Sequence, residues 1–216
     1  MKLAVMDTAF RGTPIDGSIF MEKPMVRSEL LMGIKRMENQ ETKMGASFNP
    51  VPHLNQRATP TEAHFMHLAL EEARLAASQG EVPVGALLVR GDQIVAMGHN
   101  EREWRQDPTA HAELSVIKEA ASRLGSWRLE ETTLYVTLEP CLMCAGAILQ
   151  ARIPRLVFGA MDPKAGACGS LFTVHHDLRL NHQVEVIHGI LEEECRSILQ
   201  TFFRQLRQPE TRINNT

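Results

Sequence analysis

Residue types that bind soft metals stand in two short segments of this chain, His111-Ala112-Glu113 and Pro140-Cys141-Leu142-Met143-Cys144. They read H-x-E…P-C-x-x-C. If the two segments act together, the fold must return the chain to the same point after a helix and a strand. That requirement limits the architecture more than any other feature. One imidazole and two thiolates make three zinc-type ligands. A structural zinc site is normally closed by four protein ligands, whereas a catalytic one leaves a position for water. Glu113, two residues from His111, is then a carboxylate placed to carry the protons of that water. Cys168 or Cys195 as a fourth ligand would instead close the site. Cys195 falls in an amphipathic helical pattern, and Cys168 in a glycine-flanked loop.

The local pattern supplies the helices and strands that such a return needs. Thr59-Pro60-Thr61-Glu62 is a capping box with proline at the first helical position. Phe65, Leu68, Ala69, Ala73 and Ala76 follow at helical spacing, and Gly80 ends the helix. Val84 to Val89 and Ile94 to His99 read as a hairpin turning around Arg90-Gly91-Asp92. A loop from Asn100 to Asp107 leads to a second helix, with Leu114, Ile117, Ala121 and Leu124 on one face. Thr133 to Leu138 is a strand, Pro140 to about Arg152 a helix, and Arg155 to Gly159 and Val184 to His188 are strands. Leu191 to about Arg207 is a terminal helix. Strand and helix alternate after the hairpin. The expected fold is therefore a three-layer α/β/α domain on a mixed five-stranded sheet. The candidate ligands His111, Cys141 and Cys144 each stand at a helix start, where free N–H groups favour thiolates.

Residues 1–58 differ in composition. They hold seven of the eleven methionines and show no clean alternation, although residues 29–37 could form a short amphipathic helix. We expect a disordered extension over 1–58 and a catalytic domain over 59–216. Residues 1–60 carry eight Lys/Arg against six Asp/Glu, and the remainder fifteen against twenty, for an overall net charge of −3. A globally basic nucleic-acid binder is excluded, so any RNA contact must be local. Four cysteines, two of them in a C-x-x-C, suit metal binding in a reducing compartment rather than a disulfide scaffold. No apolar run spans a membrane, and the first residues lack the apolar core of a secretory signal. The expectation is a cytoplasmic protein with no membrane partner.

Longer stretches carry a narrower signal. They are Glu81-Val82-Pro83-Val84-Gly85-Ala86, Gly98-His99-Asn100, Asp107-Pro108-Thr109-Ala110-His111-Ala112-Glu113, Leu134 to Ala147, and Val157-Phe158-Gly159-Ala160. With Gly169-Ser170-Leu171 and Phe202-Phe203-Arg204, they resemble the bacterial tRNA-specific adenosine deaminases from about residue 62 to about 208. The H-x-E…P-C-x-x-C signature alone is general to zinc nucleobase deaminases. The resemblance implies a cytidine-deaminase-like fold and conversion of the wobble adenosine of a tRNA anticodon to inosine. It also implies one zinc per chain and a homodimer. By position, His111, Cys141 and Cys144 would bind zinc and Glu113 would shuttle protons. Asn100 would hydrogen-bond the base, with Val84 and Gly85 as pocket wall. Asp162, Lys164 and Phe203 would lie near the RNA. Arg102, Arg105, Arg204 and Arg207 are further phosphate candidates, and Trp104 either stacks on a base or packs. Two other functions fit the core motif: a small-molecule deaminase of guanine or cytosine, and a zinc-stabilised interaction subunit without activity. The presence of Glu113 speaks against the second.

Overall fold

The computed structural model of the protein describes residues 59–207. The expectations for residues 1–58, including the helix over 29–37, lie outside the described residues.

Helix α1 (Pro60–Ser78) begins on the expected capping box. The Thr59 hydroxyl accepts the Glu62 N–H at 3.1 Å, and Glu62 Oε2 accepts the Thr59 N–H at 2.9 Å. The same buried carboxylate accepts from the Arg155 guanidinium at 2.7 Å, tying the start of α1 to the start of a distant strand. Gln79 caps the other end, and Gly80 takes the left-handed backbone that stops the helix, at φ +80°. Strands β1 (Gly85–Arg90) and β2 (Gln93–His99) form the hairpin, with Gly91 at φ +60° in a two-residue turn. A short helix, α2 (Arg102–Arg105), interrupts what the sequence suggested was loop. Helix α3 (Ala112–Leu124) leads to β3 (Thr132–Leu138). Helix α4 (Leu142–Gln150) crosses to β4 (Arg155–Ala160). A longer connection reaches β5 (Glu185–His188), and α5 (Glu192–Arg207) follows.

The strand order is β2-β1-β3-β4-β5. β1 runs antiparallel to both of its neighbours, and β3, β4 and β5 are parallel. The expected mixed five-stranded sheet is therefore present. Successive residues face opposite sides. Ala86, Leu88, Leu134, Val136, Leu156 and Phe158 pack against α3 and α4. Leu87, Val89, Tyr135, Val157 and Ile187 pack against α1 and α5. Each fully buried Val, Leu or Phe among them contributes about 1.5–3 kcal/mol. No described helix is long and apolar enough to cross a membrane.

Two local expectations shift. The buried stripe of α3 is Ala112, Val116 and Ala120, with Ile117, Ala121 and Leu124 half-buried beside it. Small side chains let this helix lie close to the sheet, which turns Leu114 to the flank. Pro140 does not enter α4; it precedes Cys141, which is the N-cap. Because α1 carries its own cap, a chain beginning at Thr59 is expected to fold with a melting temperature within a few degrees of the full chain. A much lower melting temperature in a thermal scan would instead tie residues 1–58 to the domain.

Candidate metal centre

The carboxyl ends of parallel β3 and β4 lie together, with Leu138 opposite Ala160. The start of β1 and the end of β2 share that edge, since Gly85 pairs with His99 and Ala86 with Val136. Helix N-termini come down onto it. His111 is the N-cap of α3 and Cys141 the N-cap of α4, both in extended backbone and neither spending its side chain on a cap bond. An extended N-cap projects its side chain past the helix end, so the two meet across the edge. Cys144, one turn into α4, is fully buried. His111 Nδ1 stands 3.5 Å from Cys144 Sγ and 3.8 Å from Cys141 Sγ. Tetrahedral zinc, with Zn–S near 2.3 Å and Zn–N near 2.0 Å, separates nitrogen from sulfur ligands by about 3.5 Å. The donor set and its spacing fit that ion. Among the described residues, these three form the one group of His, Cys, Asp or Glu placed to hold a metal. Cys168 and Cys195 are buried and lie outside that group.

Charge in the cluster is set by proximity. The Cys144 thiol donates to Cys141 and brings the Cys141 thiol down to about 4, against the cost of its burial. The same bond and burial push the Cys144 thiol up. A bound cation would displace the thiol protons of the pair. Glu113 is buried behind His111, and burial holds its carboxyl above the ordinary range. A carboxyl raised in this way binds a proton more readily than an exposed one, which suits a group that carries protons.

The remaining expected site residues divide. Asn100 is buried, and its N–H donates to the Val84 carbonyl at 3.0 Å. The next residue, Glu101, donates to Ala110 O at 3.0 Å, directly before His111. Asn100, Val84 and the metal cluster thus share one neighbourhood. Val84 packs on the α3 and α4 side of the sheet. Gly85 serves packing instead: a Cβ there would meet Ala69 O of α1 at 2.0 Å. Its missing side chain faces α1, away from the cluster, so it can offer a pocket only its backbone. Asp162 Oδ1 accepts the N–H groups of Lys164 and Ala165 at 2.9 and 3.3 Å and shapes its own loop, with Lys164 exposed beyond it. Phe203 sits on α5, on the sheet face opposite the cluster helices, with its ring edge-on to Phe202 at 5.5 Å. The structure does not bring Phe203 to the cluster. Trp104 is 74% exposed beside Arg105, which excludes a core role.

Two carboxylates not singled out from the sequence also matter. Glu139 is 2% exposed and accepts the N–H groups of Asp162, Cys168 and Ser170, each at 2.9 Å, as well as the Ser170 hydroxyl. It holds the loop that pairs through Gly166 with Cys141. A Cβ at Gly166 would meet Glu139 Oε2 at 2.2 Å, so only glycine allows this approach. Glu81 lies under Asn100 and Trp104. The signal in both cases was a lone acid between apolar residues beside a proline, in Glu81-Val82-Pro83 and Leu138-Glu139-Pro140. The substitution Glu139→Gln turns an N–H donor toward N–H donors. It is expected to cost at least about 3 kcal/mol from buried groups left unpaired. Chemical denaturation read together with metal content checks this. Unchanged stability would show that the loop holds without it.

Comparison with known proteins decides the family. The MafB19-like deaminase family matches residues 61–207. A tRNA-specific adenosine deaminase of Bacillus subtilis is 54% identical over 144 residues, spanning 67% of this chain and 89% of its own length. One of Haemophilus influenzae is 51% identical over 145 residues, spanning 67% of this chain and 84% of its own. This chain belongs to the tRNA-specific adenosine deaminase family. A solved structure from work on A-to-I editing by tRNA:A34 deaminases at the wobble position of transfer RNA superposes with a TM-score of 0.61. It is 48% identical and covers 63% of this chain and 99% of that one. A guanine deaminase from Nitrosomonas europaea shares the fold alone, at 20% identity and a TM-score of 0.59, over 74% of this deaminase and 96% of its own chain.

Proposed function

We propose that this deaminase converts adenosine at the wobble position of a tRNA anticodon loop to inosine by hydrolysis. The observation that carries the reading is the His111, Cys141 and Cys144 cluster with buried Glu113 beside it, in a chain 54% identical to a tRNA-specific adenosine deaminase. His111, Cys141 and Cys144 would hold one zinc. When bound, zinc in such a set supplies an activated water as nucleophile. Glu113 takes a proton from the attacking water, passes it to the ring nitrogen next to the amino-bearing carbon, and carries the second to the departing amino group. The carbon–oxygen bond forms, the carbon–nitrogen bond breaks, and ammonia leaves. Asn100 hydrogen-bonds the nucleoside, with Val84 and the Gly85 backbone as the pocket wall. An anticodon loop offers an unpaired base at low unstacking cost. Exposed Arg102, Arg105 and Lys164, with the Trp104 ring, form the local contact surface that the acidic average charge requires. Asp162, Phe203, Arg204 and Arg207 extend it outward.

We place a second copy of the chain against exposed Leu142, Met143, Leu171 and Phe172. These lie on segments joined to each other through the Ala167 N–H on Pro140 O and the Leu171 N–H on Gly166 O. An apolar group of this kind beside a site is a common place for a partner. The reducing cytoplasm keeps the thiolate ligands intact, and we place the reaction there.

Ammonia release is compared across three substrates: an anticodon stem-loop with adenosine at the wobble position, the same RNA with cytidine there, and free guanine, cytosine and cytidine. The expected preference is for the first. A preference for a free base, or for cytidine in the loop, contradicts the reading.

A further inference from the structure

Glu81 is 1% exposed, and it takes no part in the metal cluster. It lies between α1 and β1, where its N–H donates to Ala76 O at 3.0 Å. Its two oxygens are divided between two donors. Oε2 accepts Asn100 Nδ2 at 2.9 Å, and Oε1 accepts the Trp104 backbone N–H at 2.7 Å. A buried carboxylate is costly unless hydrogen-bonded, and these bonds meet that need. They also have a consequence for Asn100. An asparagine amide has a donor end and an acceptor end, which nothing but its partners distinguishes. An ionised carboxylate only accepts, so Asn100 must turn its NH2 toward Glu81, and the carbonyl oxygen is left as the end not committed to it. The second bond, to Trp104, keeps Glu81 from rotating away and ties α2, which carries Arg102 and Arg105, to the same group.

We propose that Glu81 is a positioning residue that fixes which end of the Asn100 amide meets the nucleoside, and so helps determine which base is deaminated. This rests on the assignment of Asn100 to nucleoside binding made above. In E81Q the backbone N–H of Trp104 cannot invert, so it keeps the glutamine oxygen, and the glutamine NH2 faces Asn100. The Asn100 amide then turns over to offer its oxygen inward and its NH2 to the nucleoside. The number of internal hydrogen bonds is unchanged, while the polarity offered to the substrate is reversed. Adding N100D restores an acceptor there, because one carboxylate oxygen takes the glutamine NH2 and the other faces the nucleoside. N100D alone sets two carboxylates against each other.

The test measures kcat/KM on the adenosine and cytidine stem-loops for the zinc-loaded full chain and for E81Q, N100D and E81Q/N100D. Zinc content, melting temperature and RNA affinity are followed in parallel. E81Q is expected to keep zinc and RNA affinity and to lose about ten- to a hundredfold on adenosine, the span of one mismatched polar contact. The ratio of adenosine to cytidine turnover falls with it. The double variant regains at least about tenfold over either single one. A solely structural role predicts lowered stability with an unchanged base ratio and additive losses, and that result overturns the proposal. Wild-type rates in E81Q overturn it too. If E81Q alone does not fold, N100D against the double variant reads the same coupling, and equal rates refute it. If the wild type prefers another nucleobase, the substrate reading fails by itself. The coupling between positions 81 and 100 is then read on that base.

Discussion

Glu113→Gln is expected to keep the fold and the metal and to lose at least about a hundredfold in kcat, the low end of what a positioned acid–base group supplies. The substitution is isosteric, and Glu113 is not among the three ligand residues. Its carboxyl is buried, and burial raises its affinity for a proton. An amide there can accept a hydrogen bond from water but cannot take its proton or deliver it to the leaving amino group. The loss should appear in kcat and kcat/KM together, with RNA affinity unchanged. Single-turnover rates with metal analysis make the measurement. Near-wild-type turnover in Glu113→Gln would mean that another group carries the proton.

Cys144→Ala is expected to do the opposite: it removes the metal and, with it, all measurable turnover. Cys144 is fully buried, and His111 Nδ1 faces its sulfur at 3.5 Å. Two ligands then remain on two different helices. Groups that merely support a ligand are worth about 10–100-fold in metal affinity, so losing a ligand should exceed that. The core on both sheet faces is untouched, so the variant should still fold, with a lowered melting temperature from the lost crosslink between α3 and α4. X-ray absorption on the wild type should find one nitrogen, two sulfurs and one light oxygen around zinc. A third sulfur, or full zinc occupancy in Cys144→Ala, would contradict the ligand set.

Much of this was legible in the sequence because the signals were local. The capping box at Thr59, the turn at Gly91 and the β-rich run before Pro140 each depend on neighbours a few residues away. The cluster was legible because two helix starts follow two strand ends, and such ends gather on one edge of a sheet. What stayed hidden depended on distant partners. The α3 face is set by how closely small Ala112 and Ala120 let it approach the sheet, and periodicity weights larger residues. Gly85 reads as a flexible or pocket residue until α1 is laid over it at backbone contact. Glu81 and Glu139 stood inside conspicuous stretches, yet their donors come from residues 19 to 31 positions further along. Phe203 was carried by resemblance, and its position on α5 offers it to RNA only outside the cluster.

The most direct measurement is to incubate the zinc-loaded protein with total tRNA and sequence the products for adenosine-to-inosine changes, with Glu113→Gln in parallel. The account predicts inosine at the wobble position of an anticodon with the wild type and none above background with the variant. Unchanged tRNA, with ammonia released from free guanine or cytosine by the same preparation, would contradict it.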